Sequence, residues 1–452
     1  MSAERSILGR VLANAGTLLG GRTVNAVVSL GYIALTARGL SPAQMGVLVL
    51  INAFAQFLGD VVKFQSWQTV LQYGAGPLLE NDRPRFQQVV RLSLFLDLAS
   101  GLVGVTLGVA GALLFGPLLG WSTQVAPSAA LYALTIFVMT SATSVGLLRL
   151  FDKFRYLAGE QAISSTVRLI GAAIAFSTDA PLWAFLLAWA LGPLISFLYV
   201  GIVAWREMGR RNLLEGFRLR GALSEGLPGV WKFAWATNFS SSLDVAFTHV
   251  ITLIVGALLG PTQAALWRIG RQVADGMAKP ARLVIPALYP ELAKMRAMGG
   301  DAAMRKLAGQ IALLGGAVAG VLLLITTLFG KPLLILIMGK AYESASGVMT
   351  WQVAAAAIGV LALPLEPMLV SMRAPGDALR VRIMVCAVFL LALTPLVQTW
   401  GLNGAGAALV GAALAMAIGM FLTLRVRLAR SSVVGDNEPS CADDANDAKG
   451  GR

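Results

Sequence analysis

Charged side chains interrupt the long apolar stretches of this chain, where such residues are rare. Seven of those that lie well inside the stretches are basic: Arg22, Lys63, Arg168, Arg268, Arg271, Lys279 and Arg282. Five acids accompany them: Asp60, Asp97, Asp244, Asp275 and Glu366. An ionised side chain at the centre of a bilayer costs at least ~2.5 kcal/mol, so it faces a hydrated cavity or an opposite charge. Because the acids are too few to pair every cation, the pattern predicts a polar cavity for an anionic head group, most simply a phosphate or diphosphate.

The stretch from 262 to 293 carries the densest charge and places it on one helical face. At 100° per residue, its four basic residues and Asp275 fall within an arc of about 80°. The alternative is a seam of interhelical ion pairs whose arginines reach the surface. The role of Arg168 is left open, because it could pair with Asp97 instead of binding substrate. We expect six cations to bind substrate: Arg22, Lys63, Arg268, Arg271, Lys279 and Arg282.

The remaining acids are candidates for binding a coupling ion, H⁺ or Na⁺. Glu366 lies between Pro364 and Pro367, where prolines free backbone carbonyls beside a carboxylate. Asp244 follows three serines, which offer hydroxyl oxygens. A structural, hydrogen-bonded role is the alternative for each acid, and we interpret His249 as a packed core residue rather than a proton relay. The coupling candidates are Asp60, Asp244, Asp275 and Glu366.

Composition excludes several other classes of protein. Only 13% of the 452 residues are charged and 57% are hydrophobic, whereas a soluble domain carries about 25% charged residues. Two cysteines and one histidine exclude a disulfide framework and a four-ligand zinc site, and no GxxxxGK[ST] loop is present. No cofactor is expected. The net charge of +13 lies in short clusters between apolar runs, which is typical of membrane orientation and not of nucleic-acid binding.

These residues must be positioned by membrane-spanning helices, since a bilayer core of about 30 Å needs roughly 20 helical residues. The chain predicts an all-α, polytopic membrane protein with twelve spans in two parallel six-helix bundles around a central cavity. The predicted spans are 11 to 37, 43 to 72, 92 to 118, 124 to 148, 157 to 178, 180 to 205, 229 to 259, 262 to 293, 307 to 330, 345 to 372, 383 to 401 and 402 to 424.

Charge bias predicts that both termini are cytoplasmic. In that orientation the outer loops hold only Arg38, Lys331 and Lys340 among the basic residues. If 262 to 293 did not cross, every later basic loop would move to the outer side. The predicted domains are therefore an N-terminal bundle over 1–205, a cytoplasmic linker over 206–226, a C-terminal bundle over 227–428 and a disordered tail over 429–452.

A weak internal repeat supports the two bundles. A shift of 219 residues places Ser41-Pro42-Ala43-Gln44 on Gly260-Pro261-Thr262-Gln263, and a shift of 221 places Leu148 on Leu369. Six spans per half is an even number, so both halves enter the membrane in the same direction. They would then be related by an axis along the membrane normal.

Three motifs resemble the multidrug/oligosaccharidyl-lipid/polysaccharide (MOP) exporter superfamily, within it the bacterial lipopolysaccharide and polysaccharide flippases. They are Gly20-Gly21-Arg22-Thr23-Val24-Asn25, Leu40-Ser41-Pro42-Ala43-Gln44-Met45-Gly46-Val47-Leu48 and Trp400-Gly401-Leu402-Asn403-Gly404-Ala405-Gly406-Ala407-Ala408. The resemblance covers residues 5 to about 428. It implies a V-shaped pair of bundles in the bacterial inner membrane. These would move a polyprenyl-diphosphate-linked oligosaccharide to the periplasmic leaflet by alternating access. It also implies lumenal cations at Arg22, Lys63, Arg268 and Arg271.

Two alternatives compete with this prediction. A cation-coupled multidrug antiporter of the same superfamily would need an acidic or aromatic pocket for cationic drugs, and the excess of cations disfavours it. A membrane enzyme such as a polysaccharide polymerase would need a large extramembrane loop, and none is present. The expected partners are the lipid-linked oligosaccharide, membrane lipids and polysaccharide polymerase or ligase machinery.

Overall fold

The structure is a computed structural model that describes residues 25–119, 121, 125–282, 301–362, 364–371 and 375–435. Those residues form helices joined by short turns, and no strand occurs among them. In chain order the helices are α1 (25–39), α2 (Pro42–Val62), α3 (Ser66–Leu79), α4 (Arg83–Phe115), α5 (Ala126–Ala133), α6 (Thr135–Thr140), α7 (Thr143–Leu150), α8 (Phe154–Ser177), α9 (Leu182–Arg210), α10 (Val230–Leu259), α11 (Pro261–Arg282), α12 (Asp301–Met338), α13 (Ala345–Leu361), α14 (Leu365–Ser371) and α15 (Pro375–Gly435).

Several helical stretches are long and apolar enough to cross a bilayer. Within the described ranges they are Pro42–Leu79, Arg83–Leu114, Ala126–Leu150, Leu182–Arg210, Gly315–Met338 and Gly376–Arg427. The last has 52 residues, enough for two crossings, and Gly401 breaks it with φ 60° and ψ −136°. The predicted boundary between the last two spans lies at this glycine. The predicted span from 262 to 293 is described only as far as Arg282, and 283–300 lie outside the described residues.

By packing, the chain divides into two compact units. The first contains the described residues up to Gly276 together with Leu328–Met349 and Thr394–Ala405. The second contains the described parts of Met277–Thr327, Thr350–Leu393 and Gly406–Arg452. The predicted bundle boundary at 206–226 remains a prediction.

The core of the first unit lies between α3, α4, α7, α8 and α9. Phe86, Leu148 and Ala204 are fully buried there, beside Val70 and Met208. Apolar side chains elsewhere point outward, as Leu114 does with 71% of its surface exposed. An apolar exterior around a packed core is what a lipid environment requires of a membrane-spanning domain.

The two turns aligned by the repeat meet in the first unit. Ser41 caps α2 through a capping box with Gln44, and Pro42 occupies the first turn. Pro261 begins α11 after Gly260, whose φ is +87°. Gly46 packs against Pro261 so closely that a Cβ at this glycine would lie 1.9 Å from the Pro261 carbonyl oxygen. A residue without a side chain is therefore required at position 46.

Within the ranges that the structure describes, three predicted spans are broken. The second is interrupted at residues 63–65 between α2 and α3, the fourth at Ser141 and Ala142, and the tenth between α13 and α14. The repeat shift of 221 places Ser141 on Ala362, so the fourth and tenth spans break at equivalent positions. Broken helices at matching positions in two repeats are a feature of transporter binding sites.

The second unit is fixed by ion pairs near its helix ends. Arg427 donates a hydrogen bond from Nε to the Asp377 carboxylate at 2.8 Å. Arg382 lies 3.3 Å from Glu366, in the first turn of α14. The first pair joins the end of α15 to its start, and the second joins α14 to the start of α15.

The segment that follows α9 is held against α4 by hydrogen bonds. The Gln87 side chain on α4 donates to the carbonyls of Leu213 and Glu215, each at 2.8 Å. Arg91, one turn along α4, donates to the carbonyls of Arg218 at 2.7 Å and Ala222 at 3.1 Å. The predicted linker over 206–226 thus runs along the start of α4 through side-chain-to-backbone bonds.

Candidate functional site

A cluster of guanidinium groups lies within the first unit, where α1, α8, α9 and α11 supply its residues. Arg168 of α8 is 9% exposed and donates from Nη1 to the Tyr32 hydroxyl at 3.3 Å. Its Cζ lies 5.7 Å from the Tyr32 ring centre and 5.5 Å from that of Trp189. Arg268 of α11 lies within electrostatic range of both Tyr32 and Arg168. We call Arg168, Arg268, Tyr32 and Trp189 the arginine cluster.

The local sequence explains how Arg168 reaches this position. Gly192 of α9 faces it, and a Cβ there would lie 2.8 Å from both Cγ and Nε of Arg168. Tyr32 and Trp189 form an edge-to-face pair with ring centres 5.4 Å apart, and the Trp189 indole donates to Thr36 at 3.3 Å. A small residue and two fixed rings therefore hold the guanidinium in place.

The cluster has an excess of positive charge. Among the described residues, neither Arg168 nor Arg268 forms an ion pair, and the buried Nε of Arg168 has no hydrogen-bond partner. Arg271, one turn beyond Arg268, does pair with Asp275, its Nε 3.2 Å from the carboxylate. A buried cation without a carboxylate is unfavourable in a membrane unless an anion binds to it.

A second polar feature is a cavity of about 360 Å³ inside the first unit, which we call the serine cavity. It lies at the breaks in the second and fourth spans, and it is bounded by α3, α6, α7, α8 and α9. Three charged residues line it, together with four serines and a proline: Lys63, Arg149, Glu160, Ser141, Ser144, Ser164, Ser196 and Pro193.

Each break positions one wall of the serine cavity. Lys63 ends α2, and its carbonyl accepts a hydrogen bond from the Asn238 amide at 2.7 Å. At the other break the Asp97 carboxylate accepts from the backbone amides of Ala142 at 2.9 Å and Thr143 at 2.8 Å. Asp97 thus supplies from α4 the cap that α7 lacks in its own sequence.

The structure resolves the choice that the sequence left open for Arg168. Asp97 does not pair with Arg168. Its carboxylate caps α7, and Arg168 turns instead toward Tyr32. The five predicted intramembrane acids did not include Glu160, which lies near the start of the predicted fifth span and lines the serine cavity. Glu160, Ser164 and Arg168 follow at i, i+4 and i+8, a spacing that puts them along one side of α8 and could have drawn attention to Glu160.

The other predicted site residues fall into separate places. Arg268 belongs to the arginine cluster, and Arg271 and Asp275 lie one and two turns further along α11. Lys63 lines the serine cavity instead, and none of the three α11 residues is part of its walls. Asp60 lies 3.4 Å from Nε2 of His249, joining α2 to α10. Glu366 pairs with Arg382 in the second unit. Arg22 and the side chains of Asp244, Lys279 and Arg282 lie outside the described residues.

Comparison with known proteins identifies the family. A family model described as "Polysaccharide biosynthesis protein" matches residues 11–295, more than half of the chain. The chain belongs to the polysaccharide biosynthesis protein family. The inner membrane protein YghQ of Escherichia coli (strain K12) is 33% identical over 338 residues, which are 74% of this chain and 94% of that protein.

Solved structures show the same fold at low sequence identity. A multidrug resistance MATE family transporter of the MOP superfamily, in an inward-facing conformation, is 14% identical with a TM-score of 0.73, covering 94% of this chain and 100% of that one. The lipid II flippase MurJ in an inward closed conformation is 13% identical with a TM-score of 0.67, covering 90% of this chain and 87% of that one. Together with the family model and YghQ, these structures confirm the predicted MOP superfamily, and they confirm the predicted all-α membrane fold.

Proposed function

We propose that this polysaccharide biosynthesis family member is a flippase for a polyprenyl-diphosphate-linked oligosaccharide. The arginine cluster carries the proposal. Two guanidinium groups, Arg168 and Arg268, lie within a membrane-spanning unit and form no ion pair among the described residues. Asp275, the acid that acts on Arg268 electrostatically, is itself paired with Arg271. Arginine binds phosphate oxygens through two parallel hydrogen bonds, so a diphosphate supplies the missing negative charge.

The proposal includes a direction and a mechanism of transport. We infer that the substrate moves from the cytoplasmic to the periplasmic leaflet of a bacterial inner membrane, with both termini cytoplasmic, while the polyprenyl tail stays in lipid. Family membership supports a lipid-linked substrate, and the relative YghQ is named as an inner membrane protein. Alternating access of two bundles supplies the movement. Arg22, Lys63, Arg271, Lys279 and Arg282 are further substrate-binding residues in this proposal.

Ion coupling is part of the same proposal, with H⁺ or Na⁺ as the ion. Asp60 is the strongest of the four acid candidates, since its carboxylate touches the single histidine of the chain across two helices. Asp275 and Glu366 already have arginine partners at 3.2 and 3.3 Å. Binding of a cation at either would compete with those partners. Asp244 stays a candidate, and polysaccharide polymerase or ligase machinery remains the proposed recipient of the product.

A leaflet-translocation assay tests the flippase proposal. The full chain, purified and placed in liposomes, is offered an undecaprenyl-diphosphate oligosaccharide or a cationic dye. We expect movement of the sugar lipid and none of the dye, and a loss of at least roughly tenfold in Arg268→Gln, because a charge-assisted hydrogen bond is removed. Movement of the dye alone would support the alternative, a cation-coupled MATE-type antiporter. Unchanged transport in Arg268→Gln would remove this residue from the site.

A further inference from the structure

The serine cavity contains two opposite charges that do not touch. Lys63 and Glu160 both line it, and among the described residues no ion pair joins them. The Lys63 ammonium has no side-chain partner in the part of the chain that the structure describes, although the Glu160 carboxylate lies within its electrostatic range. A gap between two opposite charges is space in which a ligand can contact both.

The third charge of the cavity is held by an aromatic ring. The Cζ of Arg149 lies 4.1 Å above the Trp67 ring centre, and the Trp67 indole donates to the Gln65 side chain at 2.7 Å. Gln65 and Trp67 flank the start of α3, directly after the break that carries Lys63. Arg149 and Lys63 are thereby placed on walls of one cavity by neighbouring residues, and both bring positive charge to it.

The remaining polar lining consists of hydroxyl groups. Ser141, Ser144, Ser164 and Ser196 lie around the cavity, and Ser196 donates to the Glu160 carbonyl at 3.2 Å. Each serine hydroxyl can donate one hydrogen bond and accept others, and the carboxylate of Glu160 only accepts. A ligand for this cavity must therefore offer several donors and acceptors as well as charge.

We propose that the serine cavity binds a sugar that carries one negative charge. This inference rests on the proposed flippase function, and it places a sugar of the lipid-linked head group inside the first unit. The anionic group contacts Lys63 and Arg149, while hydroxyl groups donate to Glu160 and exchange hydrogen bonds with the serines. The volume, about 360 Å³, lies within the range of small-molecule sites.

Charge and hydrogen-bonding capacity separate this ligand from simpler ones. A bare phosphate ion accepts hydrogen bonds and would be repelled by the Glu160 carboxylate. A cation would be repelled by Lys63 and Arg149. The lining has two basic side chains and one acidic one, so a sugar with one negative charge balances its formal charge and a neutral sugar does not.

The position on α8 connects the cavity to the arginine cluster. Glu160 and Arg168 are eight residues apart on this helix, which corresponds to about 12 Å of rise. Ser164 lies between them and lines the cavity, and its backbone also packs against Gly192 opposite Arg168. A diphosphate at the arginine cluster and a sugar in the serine cavity therefore fit along one helix.

Binding of two soluble sugars tests the proposal. Methyl glucuronide and methyl glucoside differ at C6, where the first has a carboxylate and the second a hydroxymethyl group. We expect the full chain in detergent to bind the glucuronide at least roughly tenfold more tightly by calorimetry. Lys63→Gln should abolish this preference while keeping the glucoside affinity, and Glu160→Gln should weaken both sugars. Inorganic phosphate should not bind at the cavity.

The controls separate this inference from the flippase proposal. Lys232→Gln, which removes an exposed cation at the start of α10, should leave both affinities unchanged. Equal affinities for the two sugars, no glucuronide binding, or phosphate binding lost in Lys63→Gln would each overturn the inference. Neither sugar carries a diphosphate or a lipid, so the binding assay does not depend on transport. Glucuronide binding without transport in liposomes would support this inference and contradict the flippase proposal. Transport without glucuronide binding would do the reverse.

Discussion

Arg168 illustrates how a single glycine controls the chemistry of a buried cation. Its side chain crosses α9 at Gly192 and reaches Tyr32 and Trp189, so the guanidinium is fixed by two rings and one hydroxyl. No acid neutralises it among the described residues. The guanidinium can reach this position, and bind an anion there, only because Gly192 leaves space for the Arg168 side chain.

Gly192→Ala should displace the Arg168 side chain from this position. The new Cβ would lie 2.8 Å from two side-chain atoms of Arg168 and from the Ser164 carbonyl oxygen. We expect the free energy of unfolding to fall by about 1–3 kcal/mol, as overpacking usually costs, and binding of a polyprenyl-diphosphate lipid to weaken. Denaturant titration in detergent and a lipid-binding assay measure the two effects.

Gly201→Ala is the matched control on the same helix. Nothing lies within 4 Å of a Cβ at this position, so alanine should be neutral or stabilising by up to ~1 kcal/mol through its better helix propensity. Equal behaviour of the two variants would contradict the role assigned to Gly192.

The sequence predicted some of these residues and missed others for a physical reason. Helical phase is a local property, and it predicted that Arg271 and Asp275 share a face, where they form an ion pair at 3.2 Å. The partner of Arg168 depends on α1 and α9, which are distant in sequence, so Tyr32 and Trp189 carried no signal. Glu160 did carry a signal, since its spacing from Arg168 is a multiple of four, but it lay near the end of a predicted span.

At the scale of elements, breaks in the spans decide where polar groups can enter the apolar interior. The break at Ser141 and Ala142 leaves the amides of Ala142 and Thr143, at the start of α7, without an acceptor in the helix, and Asp97 from α4 accepts from both. Those amides lie at buried positions, with Ala142 2% and Thr143 1% exposed. A buried donor without an acceptor is costly, so the carboxylate stabilises the break itself.

Asp97→Ala should therefore destabilise the protein. Two buried amides lose their acceptor, and we expect the free energy of unfolding to fall by about 2–4 kcal/mol. Glu80→Ala removes an exposed acid just after α3 and should change it by less than ~0.5 kcal/mol. Chemical unfolding of the purified variants in detergent gives both values, and equal stability of the two would show that Asp97 is not the cap that holds the break.

The sequence predicted some of the breaks in the spans and missed others. Gly401 and Pro364 are residues that interrupt helices, and the sequence placed a span boundary at the first and noted the second beside Glu366. Lys63 and Ser141 lie in stretches without glycine or proline at the break, so hydropathy treated each span as continuous. Tertiary contacts, from Asn238 and Asp97, hold these two breaks, and a single sequence does not reveal such contacts.

At the scale of the whole molecule, the connection between the two sequence halves is part of the packed structure. The segment from Leu213 to Gly226 receives hydrogen bonds from Gln87, Arg91 and Arg85 of α4. The sequence predicted a linker because the segment is polar and basic, which composition can indicate. It could not predict the docking, because the bonds go to backbone carbonyls, which every residue possesses.

Docking has a consequence for proteolysis. Arg206, Arg210, Arg211, Arg218 and Arg220 make this part of the chain rich in trypsin sites, yet a protease needs a locally unfolded segment to cut. We expect slow cleavage in the native chain and cleavage several-fold faster in Gln87→Ala, which removes both bonds to Leu213 and Glu215, whereas Gln72→Ala on α3 should leave the rate unchanged. Digestion followed over time would thus report how often the connection detaches from α4, and equal rates in all three proteins would mean that the arginines are already open to attack.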